Sequence, residues 1–487
     1  MSALRSYDQT QVPGTGQTVE VPRSFQPEMD RALLDGNPRT FEFPASAANF
    51  SQGILSQIIV PNSSQRYILG GSCYLNFDVA TSVTISTPSA AWMSYFTGGP
   101  TKSAAALIDR LTISVAGTTL VDINQYYIWH NMILSHASSQ DYIQAAQVLE
   151  NAFTAIKTGQ ASTDTESITI SLPLAVGLLN TTKAFPLWAL GGPMVINIYW
   201  SSAARALGVA PTQAGSRTGS GAQTLASGSV TYTGSNLSLR CQCVDVDPEY
   251  IMEQRRQMAG GKMLTFMYDQ AMGMQMGAGA ASINFGVNTS SLLAVLGAQL
   301  MTADTGQLAT APAEGNGSTF SNGWGYSFNE LNSLRVYRDG TQLTSFPLCV
   351  GGRDDAFPVL QQALGILFST SNASIVQRCR PDAVLGSSSA NCALDQQSSQ
   401  APQRFNLKPV WGLGTVRGGG VFQPAACIWG VSARKCSDDG IANQGVYCQQ
   451  LQLTVDGGQS TSGTHYIFYV FSSALAIDAA GNCIVKR

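Results

Sequence analysis

Two stretches of this chain read as one β-hairpin written twice. Leu107–Ile123 runs LIDRLTISVAGTTLVDI, and Glu330–Phe346 runs ELNSLRVYRDGTQLTSF. Laid over each other, Leu111 falls on Leu334, Ile113 on Val336, Gly117 on Gly340, Thr118 on Thr341, Leu120 on Leu343 and Ile123 on Phe346. Each copy is an alternating strand, a Gly-containing turn and a second alternating strand. A short helix candidate follows in both halves. Further strands close each half, within Ser167–Trp200 in one and Gly445–Ile477 in the other. The same order of elements on both sides of a midpoint predicts two similar lobes. Length agrees, because 487 residues exceed the roughly 250–300 at which a single core stops growing.

Period-2 patterns dominate the rest. Ser167–Leu172 sets Ile168, Ile170 and Leu172 against Ser167, Thr169 and Ser171. Met194–Trp200 aligns Met194, Ile196, Ile198 and Trp200; Leu237–Cys243 aligns Leu237, Leu239, Cys241 and Cys243; Gln450–Val455 aligns Leu451, Leu453 and Val455. Such alternation marks half-buried antiparallel strands. Helical signals are few. Asp141–Ile156 spaces Ile143, Ala146, Leu149 and Phe153 near the 3.6 period, and Asp355–Leu364 is a shorter candidate. A third runs from Asp247 to Met258, with Asp247 as N-cap, Pro248 at the first helical position and Gly260-Gly261 as the stop. It lies near the midpoint and predicts the division of the chain: an N-terminal arm 1–38, a first lobe 39–246, a helical linker 247–262 and a second lobe 263–487.

Ala203–Gly234, Thr302–Gly323 and Arg380–Gln403 lack periodicity and read as long surface loops. Charged residues make up 12% of the chain, about half the usual share of roughly 25%. Charges are depleted at interface cores, so this composition suits a subunit that covers much of its surface with copies of itself. A net charge of −3 and the lack of a basic tail exclude a strong electrostatic draw toward nucleic acid. Met1–Gly14 has no apolar run, so no secretory signal is expected, and no stretch approaches a transmembrane length. The ten cysteines are then expected to be reduced and largely buried. Asn62, Asn180 and Asn236 begin Asn-x-Ser/Thr triplets that this Ser-rich composition produces by chance.

Catalytic readings find few residues to use. Of three histidines, His130 and His136 stand six apart, off a common helix face, and His465 opens a strand. Cys241 and Cys243 share a strand face without further ligands nearby, and Cys427, Cys436 and Cys448 are spaced too irregularly for zinc. Asp354-Asp355 reads as a helix cap and Asp438-Asp439-Gly440 as a turn, because adjacent carboxylates do not face each other across a cleft. Gly418-Gly419-Gly420 and Gly260-Gly261-Lys262 lack the remaining positions of a phosphate loop. The expectation is a non-enzyme with no catalytic, cofactor-binding or metal site.

Several segments resemble the double jelly-roll major capsid proteins of DNA viruses. They are ALIDRLTISVAGTTLVDINQYYIWHNMI, the Leu172–Leu174 LPL followed by AFPLWALGGPMVINIYW, LSLRCQCVDVDPEYIMEQRRQM, and the C-terminal THYIFYVFSSALAIDAAGNCIVKR. The resemblance runs from about Arg39 onward. Ala175-Val176-Gly177 replaces the aromatics of the giant-virus versions, and the compact length is closer to virophages and polinton-like viruses. It implies an all-β fold of two tandem eight-stranded antiparallel jelly rolls with a few short helices and long loops. It further implies homotrimeric pseudo-hexagonal capsomers tiling an icosahedral shell in the virion. The expected partners are self, neighbouring capsomers, penton and minor capsid proteins and an internal membrane, with no sequence-specific nucleic-acid binding. Two rivals stand beside it. One is a carbohydrate-binding β-sandwich using Trp324 and Trp411, the other a tandem-domain coat protein of an RNA virus.

Overall fold

The computed structural model describes residues 9–11, 18–20, 38–85, 92–96, 103–137, 157–159, 163–180, 184–202, 206–211, 228–277, 279–301, 333–349, 359–360, 362–363, 413–417, 421–424, 428–436, 443–456 and 463–487. The 141–156 helix candidate, the loops at 302–323 and 380–403, and Asp354, Asp355, Trp324 and Trp411 lie outside these residues. So do Cys427, Gly418–Gly420 and Asp438–Gly440. Of the 355–364 candidate only 359–360 and 362–363 are described, and they are helical.

Eight strands build the first lobe: β1 (Arg39–Pro44), β2 (Leu55–Val60), β3 (Tyr74–Ile85), β4 (Ile108–Val115), β5 (Thr118–Asn124), β6 (Thr163–Pro173), β7 (Met194–Trp200) and β8 (Gly228–Asp245). They pair antiparallel in two sheets, ordered β1-β8-β3-β6 and β2-β7-β4-β5. The chain crosses between the sheets at nearly every step, which is the winding of an eight-stranded jelly roll. The alternation seen in the sequence is the pleat. Ile170 and Leu172 of β6 are buried while Ser167 and Thr169 are exposed, and Met194, Ile196, Ile198 and Trp200 of β7 all face inward. Between the sheets Phe50 lies flat on Trp200 (centroids 3.8 Å apart), and Phe77 meets both rings edge-on. The indole N–H of Trp200 donates to Ser56 Oγ at 2.8 Å, so the buried ring keeps no unpaired donor.

The second lobe repeats this plan with one economy. Its strands are β9 (Leu264–Met276), β10 (Ser282–Met301), β11 (Ser333–Arg338), β12 (Thr341–Gln342), β13 (Ile428–Ser432), β14 (Val446–Asp456), β15 (Gly463–Ile477) and β16 (Cys483–Lys486). Residues Ser282–Gly286 of β10 pair with β14, whereas Ala294–Met301 pair with β15. Register shifts at Gly286, Thr289 and Leu292, with Asn288 at φ 48°, carry one strand from one sheet into the other. Strand β10 thus does the work of both β2 and β3. Counted that way the orders are β9-β15-β10-β13 and β10-β14-β11-β12, the same as in the first lobe. The fold is a double jelly roll.

The repeated hairpin is β4–β5 in one roll and β11–β12 in the other. Ala116 and Gly117 have φ 46° and 84°; Asp339 and Gly340 have φ 47° and 79°. Two successive left-handed residues make the turn type whose twist suits a two-residue hairpin. Leu111, Ile113, Leu334 and Val336 are all buried. The likeness ends after the turn. Strand β12 stops at Gln342, and Phe346, aligned with the buried Ile123, is 44% exposed.

Three sequence readings need correction. A helix, α1 (Tyr126–Ala137), follows β5 directly, where the sequence reading delimits none. Residues 203–234 are not simply a loop, because Leu207–Pro211 is a strand and β8 begins at Gly228. Leu237–Cys243 is accordingly one part of an 18-residue strand. Leu207–Pro211 joins Trp92–Phe96 and Lys157–Gly159 in a small sheet. All three lie on connections leaving one end of the first roll, since Thr163 pairs with Thr84 and Gly228 with Ile85. That small sheet therefore stands at a single end of the roll.

Helix α2 (Pro248–Ala259) lies between β8 and β9. Asp247 accepts the Glu249 N–H at 2.8 Å, and Gly261 turns the chain out at φ 92°. The rolls meet over the outward side of β9 and β15. Strand β15 is buried on both faces: Ile467, Tyr469 and Phe471 point into the second roll, while Tyr466 and Phe468 join the core continuous with the first. Phe185 meets Phe266 edge-on at 5.4 Å, Trp129 packs on Phe468 at 5.6 Å, and Tyr268 Oη donates to Leu120 O at 2.8 Å.

Candidate assembly surfaces

The residues that sequence chemistry singles out are packing residues. His130 is buried in α1, its Nε2 donating to Pro173 O at 3.1 Å and its Nδ1 facing Ser103 Oγ at 3.5 Å. Burial pushes its pKa down to about 4, so the ring stays neutral near pH 7. His465, on β15, is likewise buried and held down to about 4 by desolvation. His136 shares α1 with His130. The sulfurs of Cys241 and Cys243 are 3.6 Å apart inside the first roll, with buried Cys73 also hydrogen-bonded to Cys241. The Cys243 thiol lowers the pKa of Cys241, but Cys73 and burial outweigh it and push it up to about 12. Cys243 is raised further, by its bond to Cys241 and by burial. These are protonated core thiols, not ligands. Among the described residues no group of three or more His, Cys, Asp and Glu side chains could hold a metal ion, and no helix is long and apolar enough to cross a membrane. The amides of Asn62, Asn180 and Asn236 bond to Leu190 O, Leu174 O and Asp78 Oδ2, so each triplet asparagine supports the chain itself.

The two outer faces of the first roll differ. The outer side of β1-β8-β3-β6 is a polar ladder. Thr169 Oγ1 and Asn236 Nδ2 donate to Asp78 at 2.6 and 2.7 Å, and Ser171 Oγ donates to Asn76 at 3.0 Å. Ser238 and Arg240 both donate to Glu42 Oε1, at 2.7 and 3.3 Å. These bonds hold the Asp78 and Glu42 carboxyls below the usual range. The opposite face, over β2-β7-β4-β5, has a row of Gln57, Asn197 and Thr112 amide and hydroxyl bonds. Below it Arg110 sits 5.4 Å over the Tyr199 ring and forks onto Asp122 at 2.7 and 2.8 Å. At its rim Ile54, Leu55 and Ile59 are 44–49% exposed. This apolar edge escaped the sequence reading. Its signal is the run ILSQIIV, where Ser56, Ile58 and Val60 face inward and leave Leu55 and Ile59 outside.

A scan against protein-family models matches none, and no curated protein matches the sequence. Solved structures do match over nearly the whole chain. A chain of the Sputnik virophage structure aligns with TM-score 0.53 and 13% identity, covering 98% of this chain and 94% of that one. The Faustovirus major capsid protein aligns with TM-score 0.53 and 10% identity over 91% of this chain and 90% of its own. A chain of the PBCV-1 virus capsid gives TM-score 0.50 and 11% identity over 93% and 97%. At this identity the likeness is one of fold, and it spans both rolls.

Proposed function

We propose that the chain is the major capsid protein of a DNA virus, assembling as homotrimers of pseudo-hexagonal outline that tile an icosahedral shell. One observation carries this reading. Two rolls of the same strand order are packed together in one chain, in a fold shared over most of its length with solved capsid chains. Three such chains supply six similar lobes, which is what a three-fold block with a hexagonal outline requires. The division into arm 1–38, rolls 39–246 and 263–487 and linker 247–262 belongs to the same proposal. So does a location in the virion, with penton proteins, minor capsid proteins and an internal membrane as further partners. No catalytic, cofactor or metal role is part of it.

The test is the mass of purified protein by light scattering on a sizing column. A species near three times the 51.5 kDa chain, stable to dilution, supports the capsomer. A monomer across the concentration range counts against it.

A further inference from the structure

We infer that Met274, Met276 and His465 form a binding site for a soft monovalent cation, Cu(I) or Ag(I), inside the second roll. The inference stands apart from the capsomer proposed above. Strand β9 ends in the run Met272-Gly273-Met274-Gln275-Met276. Period-2 alternation puts all three thioethers on one face of the strand. That face points into the second roll, where Met276 belongs to the core and Met272 and Met274 pack against it. Strand β15 lies alongside, and its register places His465 directly opposite Met276, Ile467 opposite Met274 and Tyr469 opposite Met272. Directly opposed residues of an antiparallel pair share a face, with Cβ atoms about 4.5–5.5 Å apart. Ile467 and Tyr469 are core residues of the second roll, so the same alternation brings the His465 imidazole in beside Met276.

The chemistry of these side chains agrees with their placement. His465 is 5% exposed, and its Nδ1 finds no hydrogen-bond partner among the described residues. A buried polar atom left unpaired is costly, and coordination of a cation removes that cost. Desolvation keeps the ring neutral, which is the form that binds metals. Met272 is engaged elsewhere, because its Sδ accepts the Tyr469 hydroxyl at 3.2 Å. That leaves Met274 and Met276 as the thioethers beside the imidazole. Methionine is unbranched and flexible, so two thioethers about 6.5 Å apart along a strand can turn toward one ion. Thioether donors favour Cu(I), whereas zinc, calcium and magnesium sites are built from thiolate, imidazole and oxygen ligands. All three ligands are neutral, so a monovalent ion brings less uncompensated charge into the core than a divalent one. Met274 is only half-buried, which gives the ion its approach. A bound ion ties β9, the edge strand of its sheet, to β15 at the last pair of their ladder.

The probe is Ag(I), a soft ion that needs no reductant, added to the full chain with isotope-labelled methionine methyl groups. The ten cysteines also attract Ag(I), so the readout is the methionine resonances themselves, followed until they stop moving. The Met274 and Met276 signals are assigned with Met274→Leu and Met276→Leu, swaps that nearly conserve volume. Both signals are expected to shift at an Ag(I) level that leaves the exposed Met263 and Met267 in place. The shifts should be lost in His465→Gln and should not occur with Zn²⁺. Unmoved Met274 and Met276 signals in the wild type overturn the site, whatever the variants do. Equal shifts with Zn²⁺, or shifts that persist in a folded His465→Gln, overturn the assignment of this ligand set to a soft ion.

Discussion

Gly177 stands so close to the backbone of Asp269 that a Cβ built on it would lie 1.7 Å from the Asp269 carbonyl oxygen. The contact crosses the joint between the rolls, and it is repeated nearby. Gly191 N–H donates to Gly481 O at 2.9 Å, and a Cβ on Gly273 would meet Asn124 O at 2.8 Å. The rolls touch backbone to backbone, which only glycine permits at these points.

Gly177→Ala must therefore push the rolls apart. Its expected cost is at least the ~1–3 kcal/mol of ordinary overpacking. The urea midpoint should fall, and the single unfolding transition should broaden or split as the rolls lose their coupling. An unchanged midpoint would show that this joint is looser than the contact distances imply.

Asp339 does two jobs at its turn. It holds a left-handed φ of 47°, and its Oδ1 accepts the N–H groups of Gln449 and Gln450 at 3.0 and 2.8 Å. Asp339→Ala loses both bonds and places alanine in a conformation disfavoured by about 1 kcal/mol. The expected destabilisation is about 1–3 kcal/mol. Asp339→Asn, which keeps an acceptor and tolerates that φ, should recover most of it in the same thermal melt.

Acid should weaken the fold through its buried histidines. Both His130 and His465 have folded pKa values of about 4, below the ordinary 6.5. The unfolded chain then binds protons first as pH falls. Stability from this source is complete above about pH 6.5 and is lost progressively toward pH 4, by up to about 3 kcal/mol per histidine. Melting temperature measured from pH 7 to 4.5 should drop. Replacing both histidines with glutamine should flatten much of that slope, and an equally steep slope in the double variant would place the acid sensitivity elsewhere.

The thiols of Cys73, Cys241 and Cys243 should resist modification in the native protein. They are buried, and Cys241 and Cys243 are raised far above neutral pH, leaving almost no thiolate. Maleimide labelling followed by peptide mass mapping should find them unmodified until denaturant is added. Rapid native labelling of Cys241 would contradict the packing of this strand.

Much of this was readable from residue order because half-buried strands write their pleat directly. Ser167–Leu172, Met194–Trp200 and Gln450–Val455 alternate and are strands, and Asp247 caps its helix as its neighbours suggest. Elements buried all round left no such trace. Tyr126, Tyr127, Ile128, Trp129 and Met132 of α1 are all buried, so the described side chains of the helix form no polar stripe from which to read a period. Strand β15 is apolar on both sides for the same reason. The Gly- and Ser-rich start of β8 looked like loop, yet it is paired along β3, and Gly234 has no side chain because the Phe50 ring occupies that space. The ladder was visible only as the polar half of each pattern. Nothing in one strand's sequence says that its neighbours' polar halves align with it.

The single strand that serves both sheets of the second roll leaves that corner with no spare chain. In the first roll residues 61–73 bridge the same corner, between β2 and β3. The two lobes thus differ in where they can be lengthened. A peptide grafted at the first corner between Ser63 and Ser64, ahead of the short strand Arg66–Ile68 that pairs with the end of β8, hangs from a turn, and both sheets keep their registers. The same graft within Gly286–Leu292 would cut a continuous strand and let the two sheets slide past each other, so only one of the two pseudo-equivalent corners can carry an inserted peptide.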